Sequence, residues 1–165
     1  MNVRKILVTT DLSKYSLAAL EYAAEIGLSY GSTLYLLYVV DAHPSKVTPN
    51  GVDVGSRSAF HVAEEQGRKR LQEFVEKNVT PELRMTQVVR VGNPVDEIRR
   101  FGEQEGVDVI VIATHGWTGL RHIVMGSIAE RVVRHSSIPV LSVKPLALRE
   151  NFLKEEDIES ELHLR

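Results

Sequence analysis

No cysteine occurs among the 165 residues, which excludes disulfides, thiolate nucleophiles, cysteine-ligated zinc and iron–sulfur clusters together. This absence fits a cytoplasmic setting. No apolar run approaches the roughly 20 residues of a membrane-spanning helix, and Met1-Asn2-Val3-Arg4-Lys5-Ile6 leads into a short strand-like run rather than a signal-peptide core. The expectation is therefore a soluble protein without a membrane partner. Charge of one sign is lacking as well: 20 Lys and Arg stand against 22 Asp and Glu, a formal net of −2. Such balance leaves no footprint for broad binding to nucleic acid. Two nucleotide signatures are also missing. There is no G-x-x-x-x-G-K-[ST] loop and no G-x-G-x-x-G after the first apolar run, so neither a Walker-type NTPase nor a dinucleotide-binding fold is supported.

What is present is ordinary globular chemistry, 43% hydrophobic and 25% charged residues in a length that suits one domain. Ile6-Leu7-Val8 reads as a strand closed by Thr9-Thr10-Asp11, followed by Leu17, Leu20, Ala24 and Leu28 at helical spacing before Gly31. The phrase repeats. Leu34 to Val40 is a second strand, and Ala63, Gly67, Leu71 and Phe74 mark a helical face. Met85 to Val91 alternates with polar residues, as expected of a partly exposed sheet edge. Asn93-Pro94 is an N-cap with proline at the first helical position, Ile98 and Phe101 are buried positions, and Gly106 is a stop. Val107 to Ala113 is the most apolar strand, with Val109-Ile110-Val111-Ile112 marking it as central. A helix with Ile128, Val132 and Val133 and a last strand, Pro139 to Val143, complete a doubly wound α/β pattern. Residues 42–56, rich in turn formers, form a long loop that is either a lid or a disordered excursion.

Open α/β sheets bind ligands beyond the carboxyl ends of their strands. Asp11, Thr114 and Lys144 at three such ends invite comparison with a phosphoacceptor receiver domain, but the third strand ends in Val91-Gly92-Asn93 without the required aspartate. The unusual segment is Ala113 to Ser127. Gly116 permits close backbone approach to a ligand, while Gly126-Ser127 opens a helix and offers amides and a hydroxyl to an anion. Tight turns alone would also account for these glycines.

These residues resemble the universal stress protein family, in its nucleotide-binding branch. Its pattern G-x2-G-x9-G-[ST] appears as Ala113-x2-Gly116-x9-Gly126-Ser127, and both the opening Ile6 to Asp11 and the closing Pro139 to Pro145 match in order and spacing. The resemblance covers residues 3–145 and implies a Rossmann-like, five-stranded parallel sheet in the order 3-2-1-4-5. It implies ATP, accompanied by magnesium or manganese, as the cofactor. Asp11, within Thr9-Thr10-Asp11, would approach the ribose, Val39 would line the adenine pocket, and Ile112 and Ala113 would flank the nucleoside. Gly116, Gly126, Ser127 and Ile128 would surround the phosphates. Ala113 departs from the pattern, replacing its first glycine. The family also implies a homodimer formed through Val140 to Val143 and a regulatory or sensory role with slow or no ATP hydrolysis. A nucleotide-independent dimeric interaction module is the alternative, with Ala113 as its supporting feature.

No catalytic base or metal-binding cluster is visible in the sequence. Arg121 and His122 suit either a phosphate contact or a solvated loop face, and His115 suits a backbone hydrogen bond. His43, His61, His135 and His163 lack ligand-like spacing, and Trp117 suits packing or partner contact. The domain is assigned to residues 1–145, with 17 basic residues against 16 acidic ones, and 146–165 to an acidic tail with three against six. Within that tail, Glu155 to Leu164 has helical potential, Ile158 and Leu162 forming a narrow stripe. A solvated appendage and a surface that docks on an unknown protein partner or second subunit both remain open.

Overall fold

Five strands and four helices alternate along the chain in the computed structural model, which describes residues 2–41, 57–79, 83, 85–114 and 125–145. They are β1 (Lys5–Thr10), α1 (Leu17–Tyr30), β2 (Thr33–Asp41), α2 (Arg57–Asn78), β3 (Met85–Gly92), α3 (Pro94–Glu105), β4 (Val109–Ala113), α4 (Ser127–His135) and β5 (Val140–Val143). All ladders are parallel and the strand order is β3-β2-β1-β4-β5. The expected loop 42–56, the expected tail 146–165 and residues 115–124, with His115, Gly116, Trp117, Arg121 and His122, lie outside the described residues.

Alternation along the strands divides the core between the two faces of the sheet. Ile6, Val8, Leu34, Leu36, Val109 and Val111 meet α1 and α2 on one face. Leu7, Leu37, Ile110 and Ile112 meet α3 and α4 on the other. A strand buried on both faces needs apolar residues at every position, which is why Val109 to Ile112 reads as an unbroken run. At the edge, β3 instead exposes Thr86 and Gln87, neighbours on opposite faces, the partial exposure expected of an edge strand rather than a strict alternation.

Several boundaries and one face differ from the sequence expectation. The central strand begins at Val109, not Val107, because Asp108 turns its groups toward β1. Its Oδ2 accepts from the Arg4 and Lys5 amides at 2.8 and 2.9 Å, and its own N–H donates to the Lys5 carbonyl. Those two amide donors hold the Asp108 carboxyl below its ordinary range, the Lys5 amide contributing most. The last strand begins at Val140, since Pro139 has no N–H and contributes only its carbonyl, to the Ile110 amide. Along α1 the buried stripe is Ala19, Leu20, Ala23 and Gly27, while the expected core residue Leu28 is 79% exposed. A mainly small stripe at i, i+4 spacing lets the helix seat close to the sheet, where a Cβ on Gly27 would come within 3.3 Å of Leu34. Leu28, next along the helix, is turned about 100° from Gly27.

Both helix stops read from the sequence occur. Gly31 and Gly106 adopt left-handed φ values of 66° and 61°, the conformation that glycine reaches without a Cβ penalty. The Asn93 cap is also formed: its Oδ1 accepts from the Val95 and Asp96 amides at 3.0 and 3.3 Å, just ahead of Pro94.

Candidate functional site

A cavity of about 380 Å³ lies at the carboxyl ends of β1, β2 and β4, walled by the amino-terminal turns of α3 and α4. The topology creates it. After β1 the chain leaves toward one face, and after β4 it leaves toward the other, so a crevice opens where the strand order reverses.

The strand β1 ends in a network of short polar side chains. Thr10 Oγ1 and Ser16 Oγ lie 2.7 Å apart, the Leu12 amide donates to Thr10 Oγ1, and Ser16 Oγ donates to the Ser13 carbonyl. Asp11 is anchored inside this turn, its Oδ1 accepting from the Ser13 amide at 3.1 Å. Leu12, with φ of 65°, is the residue that carries the chain through the bend. Asp11 therefore sits at the lip of the cavity on a turn held by the short side chains of Thr10, Asp11 and Ser16.

The start of α4 is built by Gly126. Its amide donates to the Thr114 carbonyl at 2.6 Å, and the Thr114 amide in turn donates to the Val143 carbonyl at 2.8 Å, tying the helix start to β4 and β5. A Cβ at Gly126 would lie 3.1 Å from that Thr114 oxygen. The glycine thus permits a close approach of backbone to backbone, and its own N–H is consumed in doing so. The donors that α4 can aim at a ligand are consequently the amides of Ser127, Ile128 and Ala129, which have no intrahelical acceptor, together with the Ser127 hydroxyl. This refines the sequence reading, in which the Gly126 amide itself was available.

Thr9, Thr10, Asp11, Val39, Ile112, Ala113, Gly126, Ser127 and Ile128 all line this one cavity; Gly116 lies outside the described residues. The methyl of Ala113 packs against the apolar cluster on the α1 face, so replacement of the pattern's first glycine is absorbed on the side of the sheet opposite Ile112. Sequence reasoning missed Leu37, Pro94 and Ile98 as lining residues. Pro94 and Ile98 carried clear helical signals, but only the packing of α3 across β2 brings them to the site. Asp41 and Thr114 were visible as strand ends. Among the described lining residues the charged side chains are Asp11 and Asp41, with no Lys or Arg. Among the described residues no three His, Asp or Glu converge as metal ligands.

The arrangement offers an aliphatic wall, a carboxylate and a cluster of helix-start amides across one crevice. Comparison with known proteins gives a consistent picture. The profile described as the Universal stress protein family matches residues 2–144. Universal stress protein MJ0531 of Methanocaldococcus jannaschii is 33% identical over 141 residues, covering 86% of this chain and 82% of the relative. Universal stress protein MJ0577 of the same organism is 32% identical over 153 residues, covering 86% and 94%. A solved structure of MJ0577 superposes with a TM-score of 0.70 at 28% identity, over 87% of this chain and 97% of that one. The structure of a universal stress protein from Archaeoglobus fulgidus in complex with dAMP aligns at 20% identity with a TM-score of 0.53, over 87% of this chain and 100% of that one.

Proposed function

Because the chain belongs to the universal stress protein family, we propose that it is an ATP-binding member of it, a cytoplasmic homodimer acting as a stress-response regulator or sensor. The observation that carries this reading is the order of chemistries across the cavity. Val39 and Ile112 supply an aliphatic surface for a flat base, Asp11 supplies acceptors for ribose hydroxyls, and the amides of Ser127, Ile128 and Ala129 supply donors for phosphate. The dAMP complex of the A. fulgidus relative supports an adenine nucleotide as the class of ligand.

Oxygen donors suit magnesium or manganese, and the anchored carboxylate of Asp11 is the group that would meet such an ion beside the phosphates, directly or through water. The ion would supply charge neutralisation. In this reading ATP hydrolysis is slow or absent. The empty-pocket interaction module is the weaker reading, since its supporting feature, Ala113, places its methyl in the α1-face cluster.

The β5 strand pairs with β4 on one side and exposes Leu141 and Ser142, which suits pairing with a second copy. Residues 1–145 form the domain in this reading, and 146–165 an appended acidic segment that meets a protein partner or the second subunit. Heat denaturation of the purified protein followed by mass spectrometry of the released small molecules tests nucleotide binding directly, with ATP or another adenine nucleotide as the expected release. Should nothing be released, titration calorimetry with ATP and magnesium decides: no heat and no competition at millimolar ATP rejects the reading.

A further inference from the structure

Leu12, at φ 65°, is the one non-glycine residue with a positive φ among the described residues. A left-handed leucine crowds its Cβ against the following carbonyl, so such a bend persists only where its surroundings hold it. The hydrogen bonds of the turn run in one direction. A carbonyl only accepts, which commits the Ser16 hydroxyl proton to the Ser13 oxygen at 2.8 Å. In the 2.7 Å contact between the two hydroxyls, Ser16 Oγ is then the acceptor and Thr10 Oγ1 the donor. Thr10 Oγ1 accepts in turn from the Leu12 amide at 2.9 Å. This chain, from Leu12 N–H through Thr10 and Ser16 to the Ser13 carbonyl, is buried, and it fixes the peptide before Leu12 and the peptide after Ser13. The peptide between those two carries the Ser13 N–H that holds Asp11 Oδ1. The Leu12 side chain, packed against the α1-face cluster, pins the bend from its other side.

Resting on the nucleotide-binding reading, we propose that Thr10 and Ser16 are positioning residues that act through Asp11 to orient its carboxylate toward the ribose hydroxyls. Both hydroxyl protons are committed inside the turn, so neither side chain donates to a ligand although both line the cavity. Asp11 itself is exposed, and without a fixed Ser13 amide its side chain would spread over several rotamers. A carboxylate has about four acceptor positions, so the bond from Ser13 sets its direction without exhausting it. Ordering it on folding rather than on binding leaves more of the hydrogen-bond energy to show as affinity.

ATP and 2′,3′-dideoxy-ATP differ only in the ribose hydroxyls, and calorimetric titration of the full chain with each, in the presence of magnesium, reads the preference. Wild type is expected to bind ATP about tenfold more tightly, the worth of one charge-assisted hydrogen bond. Thr10→Val, which keeps the shape and removes the hydroxyl, brings the ratio close to one by weakening ATP alone. Ser16→Ala does the same from the next link of the chain and carries the test should Thr10→Val not fold. Thr10→Ser, which keeps the hydroxyl, retains the tenfold preference. In an Asp11→Ala background Thr10→Val lowers ATP affinity no further, because the carboxylate it positions is gone. A merely structural role would weaken both ligands equally, or weaken ATP by the same factor with and without Asp11. Either result, or a wild type that binds both nucleotides equally, overturns the assignment while leaving nucleotide binding intact. Failure of wild type to bind either one overturns the nucleotide reading and this assignment with it.

Discussion

Gly126 shows how one residue ties the fold to the candidate site. Its missing Cβ lets the start of α4 approach the Thr114 carbonyl, and the resulting hydrogen bond presents the next three amides to the cavity. Gly126→Asp adds both a crowded Cβ and a carboxylate where phosphate is expected. ATP affinity measured by calorimetry should fall at least about thirtyfold, the scale of a like-charge contact in partly screened surroundings. Asp108 provides a test at the same scale and far from the site, because its carboxylate is stabilised by the Lys5 and Arg4 amides in the folded chain. A carboxyl whose folded pKa is depressed contributes stability above its unfolded pKa and loses it as pH falls through the folded value. Asp108→Ala should therefore melt below wild type at pH 7, and the gap between their Tm values should narrow progressively below about pH 4. A gap independent of pH would mean that the carboxylate charge is not the source.

The elements were legible to different degrees, for physical reasons that particular residues show. The α3 helix could be read from end to end because its signals are local: the Asn93 cap, Pro94 at its first position and the left-handed Gly106 all act within a few residues. Asn93→Ala should cost about 1 kcal/mol in urea unfolding, the usual worth of a side-chain cap. The α1 helix was read with the wrong residue inside, since Leu28 satisfies helical periodicity as well as Gly27 does. What separates them is the close seating of the helix on β2, a tertiary property. The α2 helix carries the same device at Gly67, where a Cβ would lie 2.8 Å from both Val40 and Val89. Gly67→Ala improves helix propensity by about 1 kcal/mol, yet the clash with two β-branched neighbours should outweigh it. The variant is expected to be destabilised by about 1 kcal/mol net, and a rise in the urea midpoint would contradict this account of α2 packing.

For the whole molecule, the two sheet edges are unlike. The β3 edge is polar and flanked by α2, whereas β5 is four residues long, with Leu141 exposed on its surface. If β5 pairs across a two-fold axis, Leu141→Lys should convert the dimer to monomer in analytical ultracentrifugation while leaving nucleotide affinity unchanged; a wild type that sediments as a monomer would refute the pairing. The alternating apolar phrases were sufficient by themselves for the doubly wound α/β class, whereas the strand order and the residues expected around the cavity came from the family resemblance carried by Gly116, Gly126-Ser127 and the matching opening and closing segments. Periodicity, caps and motif spacing are short-range properties, written within a dozen residues of one another. Tertiary structure alone brought Leu37, Pro94 and Ile98 to the cavity, turned Leu28 outward, placed the Ala113 methyl on the α1 face and consumed the Gly126 amide. Each of those outcomes depends on which segments meet across the sheet. That is decided by packing between residues far apart in the chain, whose partners no local pattern names.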